Sequence, residues 1–334
     1  MAGSPKIAVV GCGAICESYY LPALNRKHDV FQQLILVDLD EQRLRTIQTN
    51  YGAKIGVKDY REILGHVDGV IVATPHFSHY SITMDFLREG AHVLCEKPLA
   101  DSGRDVREMI AQAKASGVTL SVNNIFRLYP SFKRVKKLIS DKSLGKIRSI
   151  TYLDGEEFGW PTVSGFYFDK RYSKGVLLDK GAHALDTICW WIGCKPTLIS
   201  CQTDSFGGPE AAVSVKFQHE TLRGEVRLSW LAKLQNRYRI ECESGYVSGG
   251  TQDWGRVSVG PGSGKPRIME VDSTAHPEQI LRETMVDNFL DVVCGKSDPL
   301  VPATEVVGSI DLIEESYAAA KRFDMPWCDN IECS

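Results

Sequence analysis

The sequence predicts an α/β protein in two parts: an N-terminal doubly wound parallel sheet, then an α+β domain with a large, open, mostly antiparallel sheet. Three observations carry this expectation. Short, continuously apolar runs alternate with helical patterns up to about Asn124, and such strands belong to a sheet covered on both faces. Beyond that point the runs lengthen and several alternate polar and apolar residues, as in Arg223-Gly224-Glu225-Val226-Arg227-Leu228. The first apolar run also closes on Gly11-Cys12-Gly13, where a helical pattern opens.

In order, Ile7–Val10 reads as a buried strand, followed by a helix over about Ala14 to Arg26. Leu34–Val37 is the second strand and Glu41–Tyr51 the second helix; residues 57–64 read as a loop with a short helix. Val70–Ala73 is a third strand, with a helix over Ser78–Glu89 ending at Gly90, and His92–Cys95 is the next strand. Ser102, with Asp105 three residues on, opens a helix that stops near Gly117, and Thr119–Val122 closes the series. Alternation with right-handed crossovers makes the sheet parallel. The expected domains are 1–124 and 125–334.

The second part begins with a helix around Ser131–Ser140. Strands follow at Ile147–Leu153, Leu198–Thr203, Ala212–Phe217, Leu222–Trp230 and Arg237–Cys242, separated by Gly/Ser turns. Helices are expected at Asp179–Ile192, Glu278–Cys294 and about Thr304–Arg322.

Bulk properties exclude several classes. The 334 residues suffice for two cores, and 43% hydrophobic with 24% charged residues is ordinary for a globular protein. A formal charge of −3 offers no case for nucleic acid or an acidic membrane as partner. Neither Ile7–Val10 nor Ala182–Cys194 is long enough for a signal or a span, so a cytoplasmic location is expected. The ten cysteines contain no Cys-x-x-Cys pair and read as reduced, mostly buried thiols.

Several motifs carry chemistry. Gly11-x-Gly13-x-x-Cys16 stands between strand and helix: Gly11 permits the tight turn, Gly13 the approach of a pyrophosphate to free N–H groups. Cys16 in the third place is small enough for close packing. Asp38 ends the second strand where a carboxylate accepts from adenosine ribose hydroxyls and repels a 2′-phosphate, favouring NAD over NADP. Arg43 and Arg45 nearby would soften that preference. Thr74-Pro75-His76 and His79 follow the third strand at the ligand-binding edge. A zinc reading of His76 and His79 lacks a third ligand, so no metal is expected. Lys97, between Glu96 and Pro98, is kept out of helical geometry and offers a compact cation to a developing alkoxide. The X-Pro bond there is a candidate for the cis form. Asp179 and His183 share one helix face at i, i+4, with Asp186 further along; imidazole takes a hydroxyl proton near neutral pH, and a carboxylate orients it or binds a hydroxyl itself. Gly260–Lys265 superficially resembles a phosphate loop, but Val259 and Pro266 break the pattern, leaving a hairpin tip.

With these residues in place, the chain resembles the glucose–fructose oxidoreductase/inositol dehydrogenase (Gfo/Idh/MocA) family over essentially its whole length. The resemblance rests on Val9-Val10-Gly11-Cys12-Gly13-Ala14-Ile15, on Val72-Ala73-Thr74-Pro75 with His79, on Glu96-Lys97-Pro98-Leu99-Ala100, and on Gly175 through Asp179 with His183-Ala184-Leu185-Asp186. It implies a Rossmann domain and a C-terminal sheet through which homodimers or homotetramers form. It also implies Lys97 and Asp179 binding and polarising the reacting hydroxyl, with His183 as acid–base. Gly11, Gly13, Ala14, Ile15, Asp38, Thr74, Pro75, His79, Glu96 and Lys97 would then seat NAD, Glu96 near the nicotinamide. Asp186 would face a sugar, and Arg127, Tyr129 and Trp160 would line the cleft, with Phe166 and Tyr167 beside Trp160 as an aromatic wall.

The expected function is NAD(H)-dependent hydride transfer to or from a secondary hydroxyl carbon of a sugar, sugar derivative or cyclitol. An NAD-retaining enzyme that uses transient oxidation to eliminate a leaving group is a second reading, separable by net cofactor turnover. A non-catalytic dinucleotide sensor is a third, against which the presence of Lys97, Asp179 and His183 counts.

Overall fold

The computed structural model describes residues 4–162, 165–261, 265–271 and 277–324. The chain forms two compact units, the first drawn from Met1–Ile125, Pro161–Ser164 and Ala275–Val307, the second from Phe126–Trp160, Gly165–Thr274 and Gly308–Ser334.

The first unit is a six-stranded parallel sheet of β1 (Ile7–Val10), β2 (Ile35–Val37), β3 (Ile55–Val57), β4 (Gly69–Val72), β5 (His92–Cys95) and β6 (Leu120–Val122), in the order β3-β2-β1-β4-β5-β6. Every side chain of β1 and β4 is buried, as continuous apolar runs require. The order reverses between β1 and β4, so a crevice opens outside their carboxyl ends. The connecting helices are α1 (Leu21–Asn25), α2 (His28–Phe31), α3 (Glu41–Tyr51), α4 (His79–Arg88) and α5 (Gly103–Ser116). Asp40 caps α3 and Ser102 caps α5, each side chain accepting from backbone N–H groups of the first turn.

Two features of this unit depart from expectation. Residues 55–57, of which only Val57 falls in the stretch expected as loop and short helix, form the edge strand β3; with only three residues and no run of buried positions they carry little periodic signal. The helix after Gly13 is not regular: Cys16–Tyr20 is a π-turn leading into α1. Its wider turn lets the adjacent Tyr19 and Tyr20 both bury their rings.

The second unit opens with α6 (Pro130–Ser140) and β7 (Ile147–Gly155), then α7 (Val176–Asp179) and α8 (Gly181–Ile192). Next come β8 (Thr197–Thr203), β9 (Ala212–His219), β10 (Leu222–Ser229), β11 (Arg237–Cys242), β12 (Gly245–Gly250), β13 (Arg256–Pro261) and β14 (Arg267–Glu270). Helix α9 (Pro277–Val293) returns to the first unit, tied there by Arg26–Glu283 and Lys27–Asp287 ion pairs and by the Arg282 guanidinium donating to the Ser18 carbonyl. Helix α10 (Val307–Ala318) precedes β15 (Ala320–Arg322). The nine-stranded sheet runs β14-β13-β12-β11-β7-β10-β9-β8-β15; the β7–β10 and β8–β15 pairs are parallel and the rest antiparallel. One face carries the buried Ile150, Tyr152, Val226, Leu228, Tyr238 and Ile240. The exposed Arg223 and Arg227 alternate with them.

The expected helix to Arg322 ends at Ala318, because residues 320–322 find hydrogen-bonding partners on the edge strand β8. β12 falls where Gly/Ser turns are expected; its Gly249 lies under the cross-strand ring of Tyr238, and its Tyr246 covers Gly260 of β13, and a side chain at either glycine would displace the ring. The Gly260–Lys265 stretch joins the antiparallel strands β13 and β14; residues 262–264 lie outside the described residues. The eight cysteines among the described residues are free thiols, five of them buried.

Candidate active site

In the first unit the expected dinucleotide residues gather at the β1–β4 switch point. Gly11 has φ +100°, and a Cβ there would stand 2.6 Å from the Ala73 carbonyl oxygen, so only glycine fits this turn. A Cβ on Gly13 would meet nothing within 4 Å, leaving its backbone open to an approaching group. Asp38 is half-buried: one carboxylate oxygen accepts the Cys12 N–H at 2.7 Å and the other the Asp40 N–H at 2.9 Å. The carboxylate is thereby fixed against the glycine turn. Arg43 turns inward, donating to the Cys12 carbonyl at 2.7 Å and to Glu17 at 2.5 Å, while Arg45 pairs with Glu41 at 2.8 Å. These residues fit a nicotinamide dinucleotide, with the open Gly13 backbone for its pyrophosphate and Asp38 for its ribose.

Beside them, Thr74 and Pro75 follow β4. His79 is buried, with Nδ1 2.8 Å from the Pro98 carbonyl oxygen and Nε2 2.8 Å from the Thr74 carbonyl oxygen. Burial pushes its imidazole down to about 4. The ring stands between the turns after β4 and β5, and its neutral form has one N–H to donate to either carbonyl. His76 Nδ1 lies 3.0 Å from Asp101.

Lys97 is half-buried, and its bond to Pro98 is cis. The preceding Glu96 is buried; its carboxylate accepts the Tyr20 hydroxyl at 2.6 Å and the Asn123 amide at 2.7 Å, and also the Lys97 N–H at 3.2 Å. Tyr19 donates to Asn123 at 3.2 Å. Burial raises the Glu96 carboxyl above the usual range, against the pull of Tyr20 and Asn123. The motif reading missed Tyr20 and Asn123. Asn123 directly follows β6 at the ligand edge, a signal available in the sequence, whereas Tyr20 is delivered by the π-turn.

In the second unit Asp179 ends α7 and His183 lies in the first turn of α8; Lys180 between them keeps helical dihedrals, so the i, i+4 spacing holds. Both are half-buried, on a helix whose Ala184, Leu185, Ile188 and Trp191 are buried. The His183 ring stacks flat on Phe126, centroids 4.2 Å apart and planes at 12°. Lys180 reaches Glu156 at 2.6 Å and Asp154 at 3.6 Å.

Arg127 and Asp186, expected to face substrate, face each other. They form a bidentate pair at 2.8 and 2.7 Å, with 3% and 1% of their side chains exposed. With both oxygens occupied and no exposure, Asp186 anchors α8 to the segment carrying Phe126. Tyr129 is likewise buried, packed on Phe126, Phe132 and Trp254. Trp160 is 43% exposed, while Phe166 stacks on Tyr167, and Tyr167 packs against Phe158 and Trp230.

The description "Oxidoreductase family, NAD-binding Rossmann fold" (GFO_IDH_MocA) matches residues 5–124, and the C-terminal domain of the same family matches residues 132–248. The chain belongs to the Gfo/Idh/MocA family. It is an NAD(P)-dependent oxidoreductase. Among Gfo/Idh/MocA relatives, a 1,5-anhydro-D-fructose reductase of Ensifer adhaerens is 27% identical over 199 residues, 56% of each chain. A trans-1,2-dihydrobenzene-1,2-diol dehydrogenase of Xenopus laevis is 27% identical over 285 residues, 81% of this chain and 83% of that one. The fold matches a 3-ketoreductase from Actinomadura kijaniata in complex with NADP and TDP-benzene, with TM-score 0.82 and 18% identity over 96% of this chain and 99% of the other. Among the described residues, no helix is long and apolar enough to cross a membrane and no acid, His or Cys cluster could hold a metal ion.

Proposed function

We propose that the chain transfers a hydride, with NAD(H), to or from a secondary hydroxyl carbon of a sugar, sugar derivative or cyclitol. The observation that carries this reading is the Asp179–His183 pair: two half-buried, titratable groups on one face of a largely buried helix, with the imidazole plane set by Phe126. His183 takes the proton of the reacting hydroxyl, or returns it in the reverse direction. Asp179 binds that hydroxyl or stabilises the charged imidazole. Lys97 steadies negative charge on the same oxygen as a point charge. Glu96, clamped by Tyr20 and Asn123, holds the backbone from which Lys97 projects. When bound, the nicotinamide supplies or accepts the hydride.

The first unit is the cofactor domain in this reading and the second the substrate domain. Gly11, Gly13, Ala14, Ile15, Asp38, Thr74 and Pro75 hold the dinucleotide. NAD is preferred to NADP because the fixed Asp38 carboxylate opposes a 2′-phosphate, and because Arg43 and Arg45 are already paired with Glu17 and Glu41. Trp160 supplies an apolar surface for a sugar ring. The names of the relatives, a reductase of an anhydro-sugar and a dehydrogenase of a cyclic diol, accord with a cyclic secondary alcohol as the substrate class. The second-unit sheet is the proposed surface for a homodimer or homotetramer, and free thiols accord with the reducing cytoplasm.

The test is a panel of polyols, sugars and cyclitols followed by nicotinamide absorbance. Steady formation of NADH with at least one cyclic alcohol supports the reading. NAD binding without turnover across the panel and its ketone counterparts counts against it.

A further inference from the structure

Glu210 lies just before β9, far in sequence from the helix of Asp179 and His183, and no motif singles it out. Its side chain is buried, with only 2% of the residue exposed. Its backbone forms an isolated parallel bridge with Gly175, donating to the Lys174 carbonyl at 3.1 Å and accepting the Val176 N–H at 2.9 Å. One carboxylate oxygen accepts the Leu177 N–H and the Tyr317 hydroxyl, both at 2.8 Å. The Tyr317 oxygen in turn accepts the Leu178 N–H at 3.0 Å.

These contacts answer a specific need. The first N–H groups of a helix have no partner within it, and Gly175 at the start of α7 offers no side-chain cap. Val176, Leu177 and Leu178 therefore take their acceptors from Glu210 and from Tyr317 of α10. The next residue is Asp179, whose own N–H reaches the Gly175 carbonyl at 3.2 Å, and His183 lies one turn on. Gly175 has φ +132°, and a Cβ there would stand 2.4 Å from the Glu210 side chain, so the glycine makes room for this cap. Burial pushes the carboxyl up to about 7, with Asp204 acting in the same direction and the Leu177 amide and Tyr317 hydroxyl opposing. Cys201 of β8 also lies near the carboxylate, and the Lys174 ammonium lies over the Tyr317 ring.

We propose that Glu210, together with Tyr317, is a positioning residue: it caps the turn that opens the Asp179–His183 helix and thereby sets where those two side chains stand. The structural half of this statement is independent of the proposed reaction; its kinetic half rests on that reading.

The experiment uses the full chain and two readouts. Hydrogen exchange by mass spectrometry follows peptides spanning residues 175–183 in Glu210→Ala, Glu210→Gln and Tyr317→Phe. Turnover is measured with NAD and whichever panel alcohol is active. Glu210→Ala should speed exchange at Leu177 and Leu178 by about tenfold or more, as loss of a cap opens that turn locally. It should lower kcat by a similar factor while KM for NAD stays unchanged. Glu210→Gln keeps an acceptor oxygen and should recover most of both. Tyr317→Phe, a milder change should Glu210→Ala not fold, should deprotect Leu178. Unchanged protection in folded Glu210→Ala or Tyr317→Phe overturns the cap. Lost protection with unchanged kcat overturns the positioning role. Absence of wild-type turnover refutes the proposed reaction instead, and the exchange result still decides the cap.

Discussion

At the residue scale, the candidate groups are distinguished by how completely their surroundings define them. His183 has its ring plane set by Phe126 and its height by the helix, so little freedom is lost when a proton moves. His183→Ala should lower kcat by roughly a hundredfold or more, the usual worth of general acid–base catalysis, and leave NAD affinity unchanged. Steady-state rates and a cofactor titration check this; parallel loss of binding and turnover would make His183 structural. Asp38 is the other case. Its two oxygens are anchored to backbone N–H groups, so the charge cannot swing away from a phosphate brought to that edge. Asp38→Ala should weaken NAD, improve NADP relative to it, and narrow the gap between their dissociation constants. An unmutated protein that binds NADP as tightly as NAD contradicts the argument.

At the element scale, three unrelated devices aim the side chains. The π-turn at Cys16–Tyr20 lets two adjacent tyrosines reach Glu96 and Asn123. His79 fills the space between the turn after β4 and the turn after β5, its one N–H donating to the Thr74 or the Pro98 carbonyl. The Arg127–Asp186 pair pins α8 to the segment that carries Phe126, with Ser309 of α10 touching the same carboxylate at 3.4 Å. Breaking that pair from one side leaves a buried, uncompensated charge. Arg127→Ala should therefore destabilise the protein by about 3–5 kcal/mol, far more than loss of an exposed pair such as Arg45–Glu41. Denaturant midpoints of Arg127→Ala and Arg45→Ala measure the difference. Near-equal midpoints would show that Asp186 finds another partner.

At the scale of the whole molecule, two buried groups with opposed displacements shape the pH dependence of stability. Glu210 is raised from 4.5 to about 7, so the folded state holds a proton that the unfolded chain has released. Its contribution is complete below about 4.5 and is lost as pH rises to about 7, a change on the order of 3 kcal/mol. His79 is lowered from 6.5 to about 4, so its contribution is complete above 6.5 and is lost as pH falls toward 4. Between about 4.5 and 6.5 the two slopes offset each other, and stability should be nearly flat as far as these groups are concerned. Glu210→Gln removes one of them. The variant's stability should then rise more steeply with pH between about 4.5 and 6.5 than that of the wild type, in which Glu210 opposes His79. Thermal melts across that range are the measurement, and parallel pH profiles for the two proteins would show that Glu210 does not titrate there.

The sequence by itself determined the parallel character of the first sheet and five of its six strands, the glycine turn, the Asp179–His183 spacing and the family. Each depends on near neighbours in the chain: apolar runs, a strand closing on Gly11, residues one helical turn apart. Tertiary structure alone decided the partners of the buried polar groups. Asp186 meets Arg127 across 59 residues, Glu96 meets Tyr20 across 76, and Glu210 meets Tyr317 across 107. Such pairs leave no periodic trace, because a buried carboxylate must be satisfied by whatever donor the fold brings to it. The same reason explains where structure and local pattern differ. Arg127 and Asp186 are each other's buried partners, a pairing that no motif carries. Residues 320–322 continue a helical pattern, yet the unpaired edge of β8 took them as a strand. Helix α9 belongs to the first unit because its side chains find Arg26, Lys27 and the Ser18 carbonyl there, contacts that sequence order cannot express.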